Sequence, residues 1–170
     1  LKVVTSGVED ATMAHIHTGR VGFNGPVLVA LEQDAMDDNV WAAPPAAMLD
    51  ADIFAVLASG GHYVNVHTPA NGSGELRGQI TTDDLVVATF ALSGAQEVPS
   101  VTTDAYGEGY ALVNTSTYDL EFTVLTEGVD DATMAHIHTG RVGNNGDVLV
   151  ALEQDMQEMG RWSTPADTQI

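Results

Sequence analysis

Apolar and polar residues alternate with a period of two in short runs along most of the chain. Leu120-Glu121-Phe122-Thr123-Val124-Leu125 alternates cleanly, and Phe90-Ala91-Leu92-Ser93, Gly109–Val113, Ala14-His15-Ile16-His17, Val27–Leu31, His62–Thr68 and Leu76–Ile80 give related signals. Successive side chains on a strand point to opposite faces, so these runs predict short strands with one face for a core. Turn dipeptides separate them: Asn24-Gly25, Asn71-Gly72, Ser73-Gly74 and Asn145-Gly146, with Gly107 as a further break. Met48–Ser59 is the one stretch with helical spacing, carrying Ile53, Val56 and Leu57. The pattern predicts an all-β Greek-key sandwich or barrel with a short helical segment.

A long internal repeat modifies this picture. Gly7–Asp34 and Gly128–Asp155 agree at 25 of 28 positions, with an offset of 121 residues. The register persists beyond the block at Val3/Val124, Thr5/Thr126, Trp41/Trp162 and Pro44/Pro165. A period of 121 is the length of a domain rather than of a solenoid repeat. Residues 1–83 therefore read as the C-terminal part of one unit and 84–170 as the N-terminal part of the next. Thr81-Thr82-Asp83-Asp84 marks the junction, and residues 1–127 can alternatively form one permuted unit. Residues 128–170 are then expected to have unburied apolar faces that a neighbouring copy completes.

Composition narrows the partners. Five Lys+Arg against 24 Asp+Glu give a net charge of −19. That excludes the basic footprint nucleic acid requires, and attraction to an anionic membrane surface. The apolar runs are too short for membrane insertion as helices. The absence of cysteine removes disulfides, thiolate metal sites and Cys nucleophiles. The chain opens on Leu1 with no signal-peptide pattern, and is expected to come from a longer precursor.

Histidine is the residue type with chemistry to offer. Side chains two apart on a strand share a face, so His15 and His17 form a pair, and His136 and His138 form another. In His62–His67, Val64 and Val66 fit a core, which puts Tyr63, Asn65 and His67 on the face outside it. Two imidazoles from one strand and one from another make a three-nitrogen site for copper or zinc. The candidate ligands are His15, His17, His67, His136 and His138. Arg20 and Arg141 are expected to pair with local carboxylates such as Glu75 or Asp10, and Arg77 to form an internal salt bridge. Calcium is a further possibility through Asp34/Asp37/Asp38, Asp83/Asp84 and Glu127/Asp130/Asp131, none of which has EF-hand spacing. No P-loop, HExxH, GxGxxG or Ser-His-Asp order occurs, so the sequence gives no catalytic constellation.

Phe90-Ala91-Leu92-Ser93-Gly94-Ala95-Gln96-Glu97-Val98-Pro99 resembles the opening of a CHRD (chordin-type) domain. Ala135–His138, the Gly/Asn-rich loop after it and Val148–Val150 resemble its middle. Tyr63–Thr68 and Gly74–Ile80 resemble its end. The resemblance implies a secreted or cell-surface tandem module without an assigned activity. Here the end motifs precede the opening motifs. The HxH strand and late V-H strand also resemble Cu/Zn superoxide dismutase, which implies copper ligation by His15, His17 and His67. It implies the same role for His136 and His138 with a histidine supplied by another unit. The disulfide, bridging histidine and zinc-loop ligands of that enzyme have no counterparts.

These readings define the functional expectation: an extracellular, non-catalytic CHRD-like module with a histidine metal site. It assembles with copies of itself, head to tail and up to a filament, by strand complementation between chains. The alternative is a mononuclear copper-binding protein or superoxide-dismutase-like enzyme.

Overall fold

Antiparallel pairing gathers the strands into two units, Leu1–Asp83 and Asp84–Ile170, in this computed structural model. It describes every residue except Met48, Leu49 and Asp130.

The first unit contains β1 (Lys2–Val4), β2 (Met13–Thr18), β3 (Val27–Gln33), β4 (Val40–Ala42), α1 (Ala51–Ala58), β5 (His62–His67) and β6 (Leu76–Gln79). They form one sheet in the order β1-β4-β3-β2-β5-β6. Three consecutive hairpin-linked strands (β2, β3 and β4) with β1 returning beside β4 make a Greek key. The sheet curls, so that Val3 and Trp41 from its β1-β4 end pack with Ala14, Ile16, Leu31 and Val66. Helix α1 starts where the Asp50 carboxylate accepts the Ile53 N–H at 2.8 Å, a standard N-cap. The Met48 and Leu49 positions of the expected helix lie outside the described residues.

The second unit contains β7 (Leu85–Ser93), β8 (Tyr106–Asn114), β9 (Leu120–Glu127), β10 (His136–His138), β11 (Val148–Ala151), β12 (Glu153–Gln154) and β13 (Arg161–Ser163). A five-stranded sheet runs β12-β13-β9-β8-β7, and β10-β11 is a separate hairpin. Its core joins Val124, Leu152 and Trp162, with Phe122, Ala135 and Ile137 packed against them. The fold is all-β throughout, with α1 and a single 3-10 turn at Gly94–Gln96 as the helical parts among the described residues.

The repeated block folds the same way in both units. Val3 pairs with Trp41, and Val124 pairs with Trp162. His15, Ile16 and His17 face Ala30, Val29 and Val27, with a register shift before His17. His136, Ile137 and His138 face Ala151, Val150 and Val148 with the same shift.

The units differ in what surrounds the block. The first has α1, β5 and β6 after it, while the second has β7 and β8 before it. Consequently β2 is paired on both flanks, whereas β10 is paired only with β11 among the described residues. The same sequence then has two environments: Val21 is 4% exposed, and its repeat counterpart Val142 is fully exposed at 103%.

Candidate metal centre

The site is built on β2 because that strand has a partner on each side. Its register with β5 sets Ala14 opposite Val66 and Ile16 opposite Val64, which commits one face to the core. The other face receives His15 opposite Asn65, His17 opposite Tyr63, and His67 opposite Met13. His67 thus lies diagonally beside His15, within reach of a long side chain. His15 Nδ1 is 3.0 Å from His67 Nε2. The His15 ring is 5.7 Å from the His17 ring and 5.0 Å from the His67 ring, centroid to centroid.

Parity alone puts Tyr63, Asn65 and His67 away from the core, yet all three are buried. Loops cover this second face. Gly19 lies against the Tyr63 ring so closely that a Cβ there would come within 2.9 Å of it. Arg77 sits over the Tyr63 ring at 3.4 Å from its centre, while His17 stacks on the ring at 4.8 Å. The same guanidinium donates to the Asn24 side-chain oxygen and to the Arg20 and Phe23 carbonyls at 2.9–3.3 Å. Arg77 therefore fastens the loop over the histidine face. Arg20 stacks on Phe23 at 4.1 Å, and Glu75 is held by Thr68 and Asn71 at 2.6 and 2.9 Å.

Backbone carbonyls fix two of the ring tautomers. A carbonyl only accepts, so His17 Nδ1 donates to Gly25 O at 2.8 Å and His67 Nδ1 donates to Gly72 O at 3.0 Å. Both rings then turn an unprotonated Nε2 toward the cluster. Such orientation of a ligating imidazole by its other nitrogen is the usual support of a metal site. His17 Nε2 is buried and has no hydrogen-bond partner. An orphaned buried nitrogen lone pair is costly unless something binds it. The candidate ligand atoms of His15, His17 and His67 all lie within 4.8 Å of one another. Two nitrogens on one zinc or copper ion stand about 3.3 Å apart, given bonds of about 2.0–2.1 Å. Small side-chain rotations close that gap, so the donor set fits a copper or zinc ion.

Gly25 is required by this geometry. A Cβ on it would lie 1.6 Å from the Thr18 carbonyl oxygen, and one on Gly146 would lie 1.5 Å from that of Thr139. The close backbone approach carries each glycine carbonyl to the histidine ring. The asparagine-glycine turns in the sequence were a sign of it.

The other histidines have different positions. His136 and His138 reproduce the pair at 5.7 Å between ring centres, with His138 Nδ1 donating to Gly146 O at 2.9 Å. The three-residue cluster of the first unit is the one such metal-capable group among the described residues. His136 and His138 therefore stand as a pair outside that cluster. His62 is buried away from the cluster with Nε2 3.3 Å from Ile53 O. Carboxylates of the acidic runs serve their own turns: Asp34 accepts Met36 N–H and Asp37 accepts Asn39 N–H.

A Greek-key β module with a covered three-histidine cluster on its outer face is the class these features define. Known proteins narrow it. The sequence profile of the CHRD domain matches residues 1–80 and again residues 88–169. The chain belongs to the CHRD domain family and carries the domain as a tandem repeat. No curated protein and no solved structure matches it.

Two outcomes follow from this geometry. Gly25→Ala should shift the carbonyl from His17 and lower zinc affinity about 10- to 100-fold in a chelator competition assay. Unchanged affinity would show that the carbonyl does not set the ligand. The second concerns pH. Burial, then the neighbouring His67 and His17, depress the His15 pKa below 6.5. The unfolded chain then takes up this proton more readily than the folded one, so stability is full above about pH 6.5 and falls on acidification below it. In chelator, the metal-free chain should lose melting temperature as the pH falls below about 6.5, and His15→Asn should flatten that slope.

Proposed function

We propose that this chain is an extracellular, non-catalytic CHRD module that assembles with copies of itself head to tail, up to a filament, and holds one copper or zinc ion at His15, His17 and His67. Calcium is a diffuse counter-ion of its acidic surface in this reading. CHRD domains occur in secreted proteins, which supports the location.

The observation that carries the assembly is β7. It is a nine-residue edge strand, LVVATFALS, without one charged residue. Val86 is 50% exposed, and Val87, Phe90 and Leu92 are exposed beside it. Soluble proteins ordinarily protect such an edge with charge, proline or a bulge, because it is a template for pairing with another chain. The acceptor is β1. Its counterpart Thr123–Leu125 in β9 pairs on its outer flank with β8. The corresponding flank of β1 is unpaired among the described residues. Placing β7 of one copy on β1 of the next fills that flank by strand addition. Each such contact leaves one free donor and one free acceptor, so growth does not close on itself.

Lysine at Val87 and Ala91 should abolish concentration-dependent light scattering while leaving the circular dichroism spectrum unchanged. A wild-type chain that stays monomeric at high concentration would sink the assembly reading.

The unpartnered Nε2 of His17 favours a second reading, a mononuclear copper protein or superoxide-dismutase-like enzyme. Copper-loaded protein would then consume superoxide, and His15→Ala/His17→Ala would lose both the copper and the rate. Copper binding without superoxide consumption would leave the metal structural.

A further inference from the structure

The histidine pair of the second unit has the features of a metal site except a third ligand. Ring separation matches that of the first unit at 5.7 Å, and Gly146 orients His138 as Gly25 orients His17. Its strand also lacks a second neighbour among the described residues. In the first unit β5 fills the second flank of β2 along all six residues, Met13–Thr18. In the second, β10 has no such partner among the described residues, and Met134 beside it is 71% exposed.

The flank needs an antiparallel strand that is not already engaged. The β5 of another copy is a poor donor. It is paired on both sides, by β2 and β6, and Tyr63, Val66 and His67 would be uncovered on its removal. In another copy β10 keeps β11 on one side, and its other flank is unpaired among the described residues. Antiparallel pairing about Ile137 sets His136 of each chain opposite His138 of the other. Alternation then keeps all four imidazoles on one face and both isoleucines on the other. Such a contact is isologous, so it closes at two chains and uses both edges.

We propose that β10 pairs with its counterpart in a second copy across a two-fold axis, and that the four imidazoles so gathered hold a divalent metal ion that drives the pairing. The inference rests on the metal-binding reading above but uses a different strand edge from the head-to-tail contact. Metal dependence follows from charge. Two chains at −19 each repel, and β10 carries no Lys or Arg to offset that repulsion. A cation shared by four nitrogens supplies the missing attraction, and its binding and dimerisation strengthen each other by linkage.

The test uses the full chain with Val87→Lys/Ala91→Lys, so that head-to-tail growth does not obscure a dimer. Sedimentation velocity is run with zinc and with chelator, alongside bound-zinc measurement. Zinc should lower the dimer dissociation constant at least about 100-fold. Bound zinc should approach about 1.5 ions per chain, one in each first unit and one shared. His136→Ala/His138→Ala, whose imidazoles lie on the face opposite Ile137, should stay monomeric and keep one ion per chain. His15→Ala/His17→Ala should still dimerise and lose the other ion, which separates failure of the first site from failure of this one. A zinc-independent monomer, or equal dimerisation without His136 and His138, overturns the proposal. Oxidation of an Ala135→Cys chain mixed with a Thr139→Cys chain should link the two. Linkage of Ala135→Cys to Val66→Cys instead would mean that β5 of the second copy occupies the edge, and also overturns it.

Discussion

A strand inside a sheet must be paired on both flanks, and that requirement organises this molecule. Backbone N–H and C=O groups need partners, and an apolar face needs cover. In the first unit β5 meets both needs for β2. Ala14 and Ile16 are buried as a result, and the far face gathers three histidines. In the second unit the same residues keep their hairpin, register and glycine-held ring, but Ala135 and Ile137 are only partly buried and His138 is exposed. The difference comes from neighbours, because the block itself is almost unchanged in sequence.

The period-two pattern carried much of the fold. It located β2, β3, β5, β6, β8, β9 and the end of β7, whose runs are long enough for alternation to register. Strands β1, β4 and β13 have three residues each and β12 has two, too few for a period to show. They are strands because Trp41 and Trp162 anchor them against Val3 and Val124. That is a tertiary cause that local sequence does not express. The tryptophans kept the repeat register, and this was the available sign.

The site was legible to the extent that parity governs it. Parity joined His67 to His15 and His17, because a strand face follows from counting residues. It did not reveal that this face is buried. Burial comes from Arg77, which reaches back over Tyr63 to carbonyls of the loop at residues 20–24, a contact spanning more than fifty positions. Nor did it assign roles to Gly25 and Gly72, whose carbonyls set which nitrogen each ring presents. Such contacts depend on loop paths, and a turn dipeptide announces a turn without saying what its carbonyl will meet.

The two exposed edges impose different demands on any assembly. The β7 edge is long and apolar, so pairing there would draw on area removed from water. The β10 edge is three residues long with two imidazoles, and it offers little such area. Hydrogen bonds along so short a strand are worth only about 1 kcal/mol each, less than the cost of immobilising two chains. Pairing at β10 would therefore need a ligand that binds the paired state alone, and the proposed metal ion is one that imidazoles ligate. On the reading proposed above, the two edges would separate a constitutive contact from a conditional one: β7 would set whether copies join, and β10 whether joined copies are linked when metal is present.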